Sequence, residues 1–312
     1  MNEQKSLFDE NWYVDEKTDE LKIEEQEISA LDEMFAASRR YRNSREYMDM
    51  LKFISRFPQY SPFNCMLLNT QNPSVSYVAT AGTWARKFKR YPRHDARPLV
   101  ILAPMSPVLF VYDLKDTEGD DIPVQILRPF VTEGNLKKST YEKTVYNSQF
   151  HKICIRETLL RHPHAGSAIR LKDNLKKQYH ALKIEANMKY LILINKEYNL
   201  NDKYSSLAHE LAHIFCGHIG DDDEAWWKDR TKIEKDEVEI EAESVAFLVC
   251  QRKGLYASSD KYLSNYRTDE VDSMPFVSIN AIFQATSYIE DMGRSKWEKP
   301  KKVRPKKKQV TG

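Results

Sequence analysis

The feature that most limits what this chain can become is five residues long, His209-Glu210-Leu211-Ala212-His213. On a helix, side chains four apart stand on one face, so both imidazoles can reach a single ion. Glu210 sits one residue along, close enough to take a proton from a water held there without being a ligand. Zinc peptidases use this arrangement: the ion acidifies the water and polarises the scissile carbonyl, and the glutamate is the general base. Leu207, Leu211, Ile214 and Phe215 give the helix a core-facing side, and the apolar run Tyr190 to Ile194 reads as a buried strand leading into it. The plain alternative is two histidines and a glutamate on an exposed helix face, and the placement against a core speaks against it.

Two histidines leave a ligand to find. His218 follows His213 by five residues, where the metzincin pattern needs six with a glycine midway, so His218 is read as a helix-end residue satisfying carbonyls. The better source is the next expected helix, Val238 to Lys253, which carries Glu239, Glu241 and Glu243. Glu239 and Glu243 share a face, and acids so close repel one another unless a cation or a histidine lies among them. Glu239 is assigned as the third zinc ligand and Glu243 as the acceptor that orients a ligand histidine, with Glu243 or Glu241 on the ion as the alternative. The acidic stretch Asp221 to Glu224 lacks the spacing and glycine of a calcium loop and is read as a solvated loop.

Around this centre, 312 residues have length for about two domains. No run approaches the roughly 18 apolar residues of a membrane helix, and the first residues lack the order of a signal peptide, so a cytoplasmic protein is expected. Cys65, Cys154, Cys216 and Cys250 lie far apart without a CxxC pair, which predicts buried thiols rather than disulfides. The net charge of +2 conceals a segregation: from Arg294 onward nine Lys or Arg face one Glu, while Met1 to Ala36 holds twelve acids and three lysines. Residues 1–27 are therefore read as an acidic disordered arm. Residues 294–312 are read as a basic disordered tail that either attracts polyanions or aids solubility. Between them the spacing predicts helices over 28–47, 47–57, 63–69 (opened by Ser61-Pro62) and 83–91, a hairpin of 99–102 with 108–112, and a turn at 116–119. Helices over 205–216, 238–253 and 276–292 each stop at a glycine, as left-handed caps prefer. The expectation is an α+β chain, divided at 28–140 and 141–293, the second part mainly helical.

SSLAHELAHIFCGH followed by EIEAESVAFLVC resembles the zincin domain shared by ImmA/IrrE-type metallo-endopeptidases and ArdC antirestriction proteins. There the HExxH helix is followed by a helix whose acidic face supplies the third ligand, a role the resemblance implies for Glu239. YLSNY and SINAIFQATSYIEDM are similar to the helical end of the ArdC zincin domain. FPQYSPFNCMLLNTQNPSVSYVATAGTW, RPLVILAP and VYDLKDTEG resemble the ArdC N-terminal domain, which implies binding of single-stranded DNA. The resemblance covers about residues 28–119 and 190–293. It departs before the ILAP strand, where the family often has a Gly- and Lys-rich turn and this chain has RYPRHDARP, so contacts there are expected to differ.

Single strands are gripped by positive charge and aromatic platforms. Arg86, Lys87, Lys89 and Arg90 interleave with Trp84, Phe88 and Tyr91, and Tyr60 and Tyr77 flank them. Candidate DNA contacts are Tyr60, Tyr77, Trp84, Lys87, Lys89 and Arg90. The competing reading packs Trp84 and Phe88 into a core and leaves the cations solvated, and the resemblance tips the balance toward nucleic acid. The expectation is thus an ArdC-like N-terminal domain followed by a gluzincin-like metallopeptidase domain. It would use Zn2+ held by His209, His213 and Glu239, with Glu210 as catalytic base. Its partners would be a protein or peptide substrate (a repressor, for example) and single-stranded DNA, in mobile-element, defence or stress regulation. The alternatives are a non-proteolytic DNA-binding antirestriction protein with a structural metal, and a sensor that cleaves a single repressor. An intact Glu210 argues against a purely structural site.

Overall fold

A computed structural model describes residues 44–103, 106–121, 134–160, 166–172, 182, 184–220, 225–255 and 275–294. The acidic arm, the expected helix up to residue 43, the stretch 221–224, the YLSNY segment and the tail beyond Arg294 lie outside the described residues.

The amino half opens with α1 (Ser44–Ser55) and α2 (Pro62–Gln71). Ser61 caps α2 as its sequence requires, its hydroxyl accepting the Asn64 N–H at 3.2 Å with proline in the first turn. Then follow β1 (Val78–Ala79), α3 (Ala81–Phe88), β2 (Arg90–Pro92), β3 (Leu99–Ala103), β4 (Ser106–Asp113) and β5 (Thr117–Gly119). The expected hairpin forms, with β3 antiparallel to β4 and Val100 opposite Phe110, and β1 pairs with the other edge of β4. Two expectations are corrected. The helix read over 83–91 starts earlier, because Thr80 Oγ1 accepts the Thr83 N–H, and it stops at Lys89, whose φ of 49° turns the chain into β2. The turn read at 116–119 is instead a short helical turn leading into strand β5, which pairs with β2. Gly119, at φ 134°, is what admits it: a Cβ there would collide with the Lys89 carbonyl.

The second half contains α4 (Lys138–Ser148), β6 (Ile153–Thr158), β7 (Gly166–Arg170), β8 (Tyr190–Asn195), α5 (Leu200–Phe215), α6 (Lys235–Arg252) and α7 (Ile279–Met292). The fold is α+β. The sheet runs β6-β8-β7, with β6 parallel and β7 antiparallel to β8. Every residue of β8 is buried. Tyr190, Ile192 and Ile194 join the main core, while Leu191 and Leu193 meet Cys154 and Met188 in a smaller cluster. A strand covered on both faces reads as an unbroken apolar run, hence YLILI. Gly217 and Gly254 end their helices at φ 78° and 75°, whereas Gly293 has φ −76° and ends α7 without a left-handed residue.

Helix α6 is buried on nearly all sides, packed by α5, α7 and α1. Its inner residues therefore carry little solvent-facing polarity, and its position is set from both halves of the chain. The Tyr47 hydroxyl donates to Ser244 Oγ at 2.8 Å, since the serine proton is committed to the Ile240 carbonyl at 2.6 Å. At the far end of α6, the buried Arg252 donates to the carbonyls of Phe57 (3.1 Å) and Tyr60 (2.8 Å), just beyond α1, and to Glu290 of α7 (2.7 Å). Carbonyls beyond a helix end need such donors when buried. All four cysteines are buried and free, as their spacing predicts.

Candidate metal centre

Helix α5 follows β8 after a four-residue loop and is capped by Asn199, whose side chain accepts the Asp202 N–H at 3.0 Å. Its apolar stripe (Leu207, Leu211, Ile214, Phe215) is buried, which turns His209 and His213 toward α6. Helix α6 is opened by a capping box between Glu234 and Glu237. One turn further along, it presents Glu239 and Glu243 to those histidines.

The ligand atoms of His209, His213 and Glu239 lie within 4.8 Å of one another. Nε2 of His209 stands 3.0 Å from Nε2 of His213 and 3.8 Å from Oε2 of Glu239. Donors around a tetrahedral zinc, each about 2.0–2.2 Å from it, stand roughly 3.3–3.6 Å apart, so two imidazoles and one carboxylate at these separations fit the ion. Glu243 Oε1 lies 3.2 Å from Nδ1 of His209, on the side away from the shared face. Burial opposes charge on His209, yet Glu243, Glu210 and Glu239 outweigh it and raise its pKa. His213 is driven the other way: burial, with His209 and His218 beside it, lowers it to about 3. The donor set thus draws a positive charge and keeps a neutral imidazole ready to coordinate one.

Glu210 is buried beneath β7. Burial pushes its carboxyl up to about 7, against the pull of His209 and the Ala168 N–H and with the push of Glu239 and Glu243. Strand β7 approaches closely because residue 166 is glycine: a Cβ there would stand 2.8 Å from Glu210 Oε1. Sequence reasoning passed over this strand, although a glycine inside an extended segment signals close approach.

Glu241 and His218 also depart from their sequence reading. Glu241 points away from Glu239 and Glu243, and accepts Arg230 at 2.6 and 2.7 Å, the Ser278 N–H at 2.7 Å and His218 Nε2 at 2.9 Å. Burial pushes its carboxyl up, but these donors outweigh it and hold it below the ordinary range. His218 does not cap carbonyls with its ring; the ring is buried between Glu241 and His213.

The candidate DNA contacts are not brought together. Tyr60 is buried with its hydroxyl on the Val78 carbonyl (3.0 Å), and Trp84 is fully buried with its indole N–H on the Tyr112 carbonyl (2.9 Å). Tyr77 packs edge-on against Trp84 and Phe88. Arg90 braces β2 to β5 through the carbonyls of Thr117, Gly119 and Asp120. Lys87 and Lys89 are exposed, and the exposed ring beside them is that of Tyr91.

No curated protein matches the chain in sequence. The solved metal-free structure of the antirestriction protein ArdC from plasmid R388 resembles it over 79% of this chain and 96% of that one, at 13% identity and a TM-score of 0.37. Residues 165–260 match the family model Peptidase_M78, the IrrE N-terminal-like domain. That stretch holds β7, β8, α5 and α6, and so every residue of the candidate centre. The segment that builds the site is accordingly similar to the IrrE N-terminal-like domain of a metallopeptidase-like family, in line with the resemblance read from HELAH and EIEAE.

Proposed function

We propose that this chain is a cytoplasmic zinc-dependent metallopeptidase whose catalytic part, residues 141–293, is coupled to a single-stranded-DNA-binding part, residues 28–140, and works in mobile-element, defence or stress regulation. The observation that carries the reading is the convergence of His209, His213 and Glu239 with the buried Glu210 alongside. Those three side chains would hold the ion, and Glu243 would orient His209 from behind. When bound, zinc supplies the charge that acidifies a water and polarises a peptide carbonyl. Glu210 accepts the proton of the attacking water and returns it to the leaving amine. Burial raises the proton affinity of this carboxyl, which suits a group that must take a proton from water and hold it until the amine leaves. Among the described residues strand β7 is the outer strand of its sheet, and an extended peptide laid along it would pass Glu210 at Gly166, held by backbone hydrogen bonds.

The test is Glu210→Gln. The amide keeps the shape of the side chain but cannot take the proton, so the variant should fold, bind zinc and cleave nothing. Unchanged cleavage in that variant would exclude the mechanism. Wild-type protein that binds zinc and single-stranded DNA but cleaves no candidate partner would favour the alternative, an antirestriction protein with a structural metal.

A further inference from the structure

His218 has its ring wedged between His213, a proposed ligand, and the ion pair of Arg230 with the buried Glu241. Its Nδ1 lies 3.1 Å from Nδ1 of His213, and its Nε2 lies 2.9 Å from Oε2 of Glu241. Glu241 is fully buried and already accepts two N–H groups from Arg230 and one from the Ser278 backbone. A carboxylate in that position only accepts, so His218 offers it Nε2–H. With its other proton absent, the His218 ring carries a lone pair on Nδ1, and the arrangement that satisfies it is a donated Nδ1–H of His213. The Nε2 of His213 is then left as an acceptor, aimed at His209 and Glu239.

We propose that His218, anchored by Glu241 and Arg230, is a positioning residue that fixes the tautomer and ring orientation of the ligand His213. This rests on the metal-centre reading above and deepens it. Ligand histidines ordinarily hand their second N–H straight to a carboxylate, a carbonyl or a water. Here an imidazole is interposed, and the carboxylate that orders it sits on the same helix as Glu239 and Glu243. One helix would thereby steady both ligand histidines, His209 through Glu243 and His213 through Glu241 and His218. Cys216, His218 and Glu241 also lie close enough to suggest a second metal seat. The Arg230 guanidinium on Glu241 speaks against it, since a cation there would meet a fixed positive charge.

The experiment uses the full-length chain and two substitutions at the same place. Glutamine can accept from His213 with its amide oxygen and donate to Glu241 with its amide nitrogen, whereas leucine fills space and does neither. His218→Leu should raise the zinc dissociation constant, measured by chelator competition, by roughly 10–100-fold, and His218→Gln should stay close to wild type. Nitrogen-15 shifts of His213 in metal-free wild-type protein should report a proton on Nδ1, and that signature should weaken in His218→Leu. Zinc binding by a folded His218→Leu equal to wild type, or equal losses in both variants, would overturn the proposal. Should the leucine variant not fold, a wild-type His213 protonated at Nε2 would overturn it alone. Wild-type protein with the Nδ1–H signature but no affinity for zinc would sink the metal-centre reading while leaving the tautomer assignment standing.

Discussion

Gly166 and Glu210 are in such close contact that no side chain fits between them: a Cβ on the glycine would stand 2.8 Å from the carboxylate oxygen and 2.7 Å from Ser206 Oγ. The proposed base is thereby packed against strand backbone, which keeps it buried and its proton affinity high. Gly166→Ala should force the Glu210 side chain aside while leaving His209, His213 and Glu239 in place. Peptidase activity should fall by roughly a hundredfold, the cost of misplacing a catalytic group by about 1 Å, with zinc content unchanged. Full activity in this variant would show that Glu210 works from a different position.

The two acids that face the histidines should separate in a metal assay. Glu239 lies toward Nε2 of His209, on the side shared with His213, and Glu243 lies toward Nδ1. Glu239→Ala removes the proposed third ligand and should abolish stoichiometric zinc binding. Glu243→Ala removes an orienting partner and should weaken binding by about 10–100-fold. Equal zinc retention in both would refute the assignment of roles. Chelation of the wild type should leave it folded, because α5 and α6 meet through a buried apolar core rather than through the site alone.

Arg252 and Glu290 form a buried ion pair that also satisfies the carbonyls beyond α1. Arg252→Met leaves Glu290 with its charge inside the core and takes the guanidinium away from the Phe57 and Tyr60 carbonyls. Urea denaturation should show a loss of about 3–5 kcal/mol, and Arg252→Met with Glu290→Met together should lose less than the single arginine variant. Since α6 and α7 share this clamp with the segment that joins α1 to α2, the amino half is not expected to retain its packing when cut away from the rest.

Legibility from sequence followed the range of the interactions involved. The His209–His213 pair was readable because a four-residue spacing on a helix is purely local, and β8 because burial on both faces leaves an apolar run. Trp84 was not: aromatic and basic residues alternate along α3 in the same way whether the rings face a nucleic acid or a core. What decides is the Tyr112 carbonyl on β4, which takes its N–H. His218 looked like a helix-end residue because its true partner, Glu241, comes 23 positions later and on another helix. Gly166 was passed over for a similar reason, since only the folded sheet brings it to Glu210.

A pH dependence of stability should come from Glu157 on β6, which accepts from the Tyr141 hydroxyl at 2.9 Å and the Lys203 ammonium at 2.6 Å. Burial pushes its carboxyl up, but the two donors and the lysine charge outweigh it and leave the pKa below the ordinary 4.5. A folded-state value below the unfolded one stabilises the fold above the unfolded pKa, and the gain is lost as pH falls through the folded value. Lys203→Met should therefore be less stable than wild type at pH 7, and the gap should close as the pH drops below 4.5. The effect is modest because the carboxylate is partly solvated. Urea midpoints between pH 3 and 7 measure it, and a gap independent of pH would assign the loss to packing instead.

The proposed nucleic-acid surface must be tested at the residues that reach solvent. Tyr60 and Trp84 are core, and Arg90 spends its guanidinium on β5 and Asp120, so replacing them would report on folding. Lys87, Lys89 and Tyr91 lie within five residues of chain on the exposed side of the α3–β2 junction. Full-length protein should prefer single-stranded over duplex DNA, because base stacking on Tyr91 needs unpaired faces. Tyr91→Ala should weaken single-strand binding by about 1–3 kcal/mol and leave duplex binding nearly unchanged. Replacing Lys87 and Lys89 together should weaken both forms and flatten the salt dependence by up to about two phosphate equivalents. Deleting residues 295–312 should lower affinity for both forms alike and leave the preference intact, since the charge of a lysine-rich segment attracts phosphates in either form. Salt titrations of each variant on both DNA forms decide the matter. If deleting the tail abolishes binding while Tyr91→Ala changes nothing, the amino half is not a DNA reader.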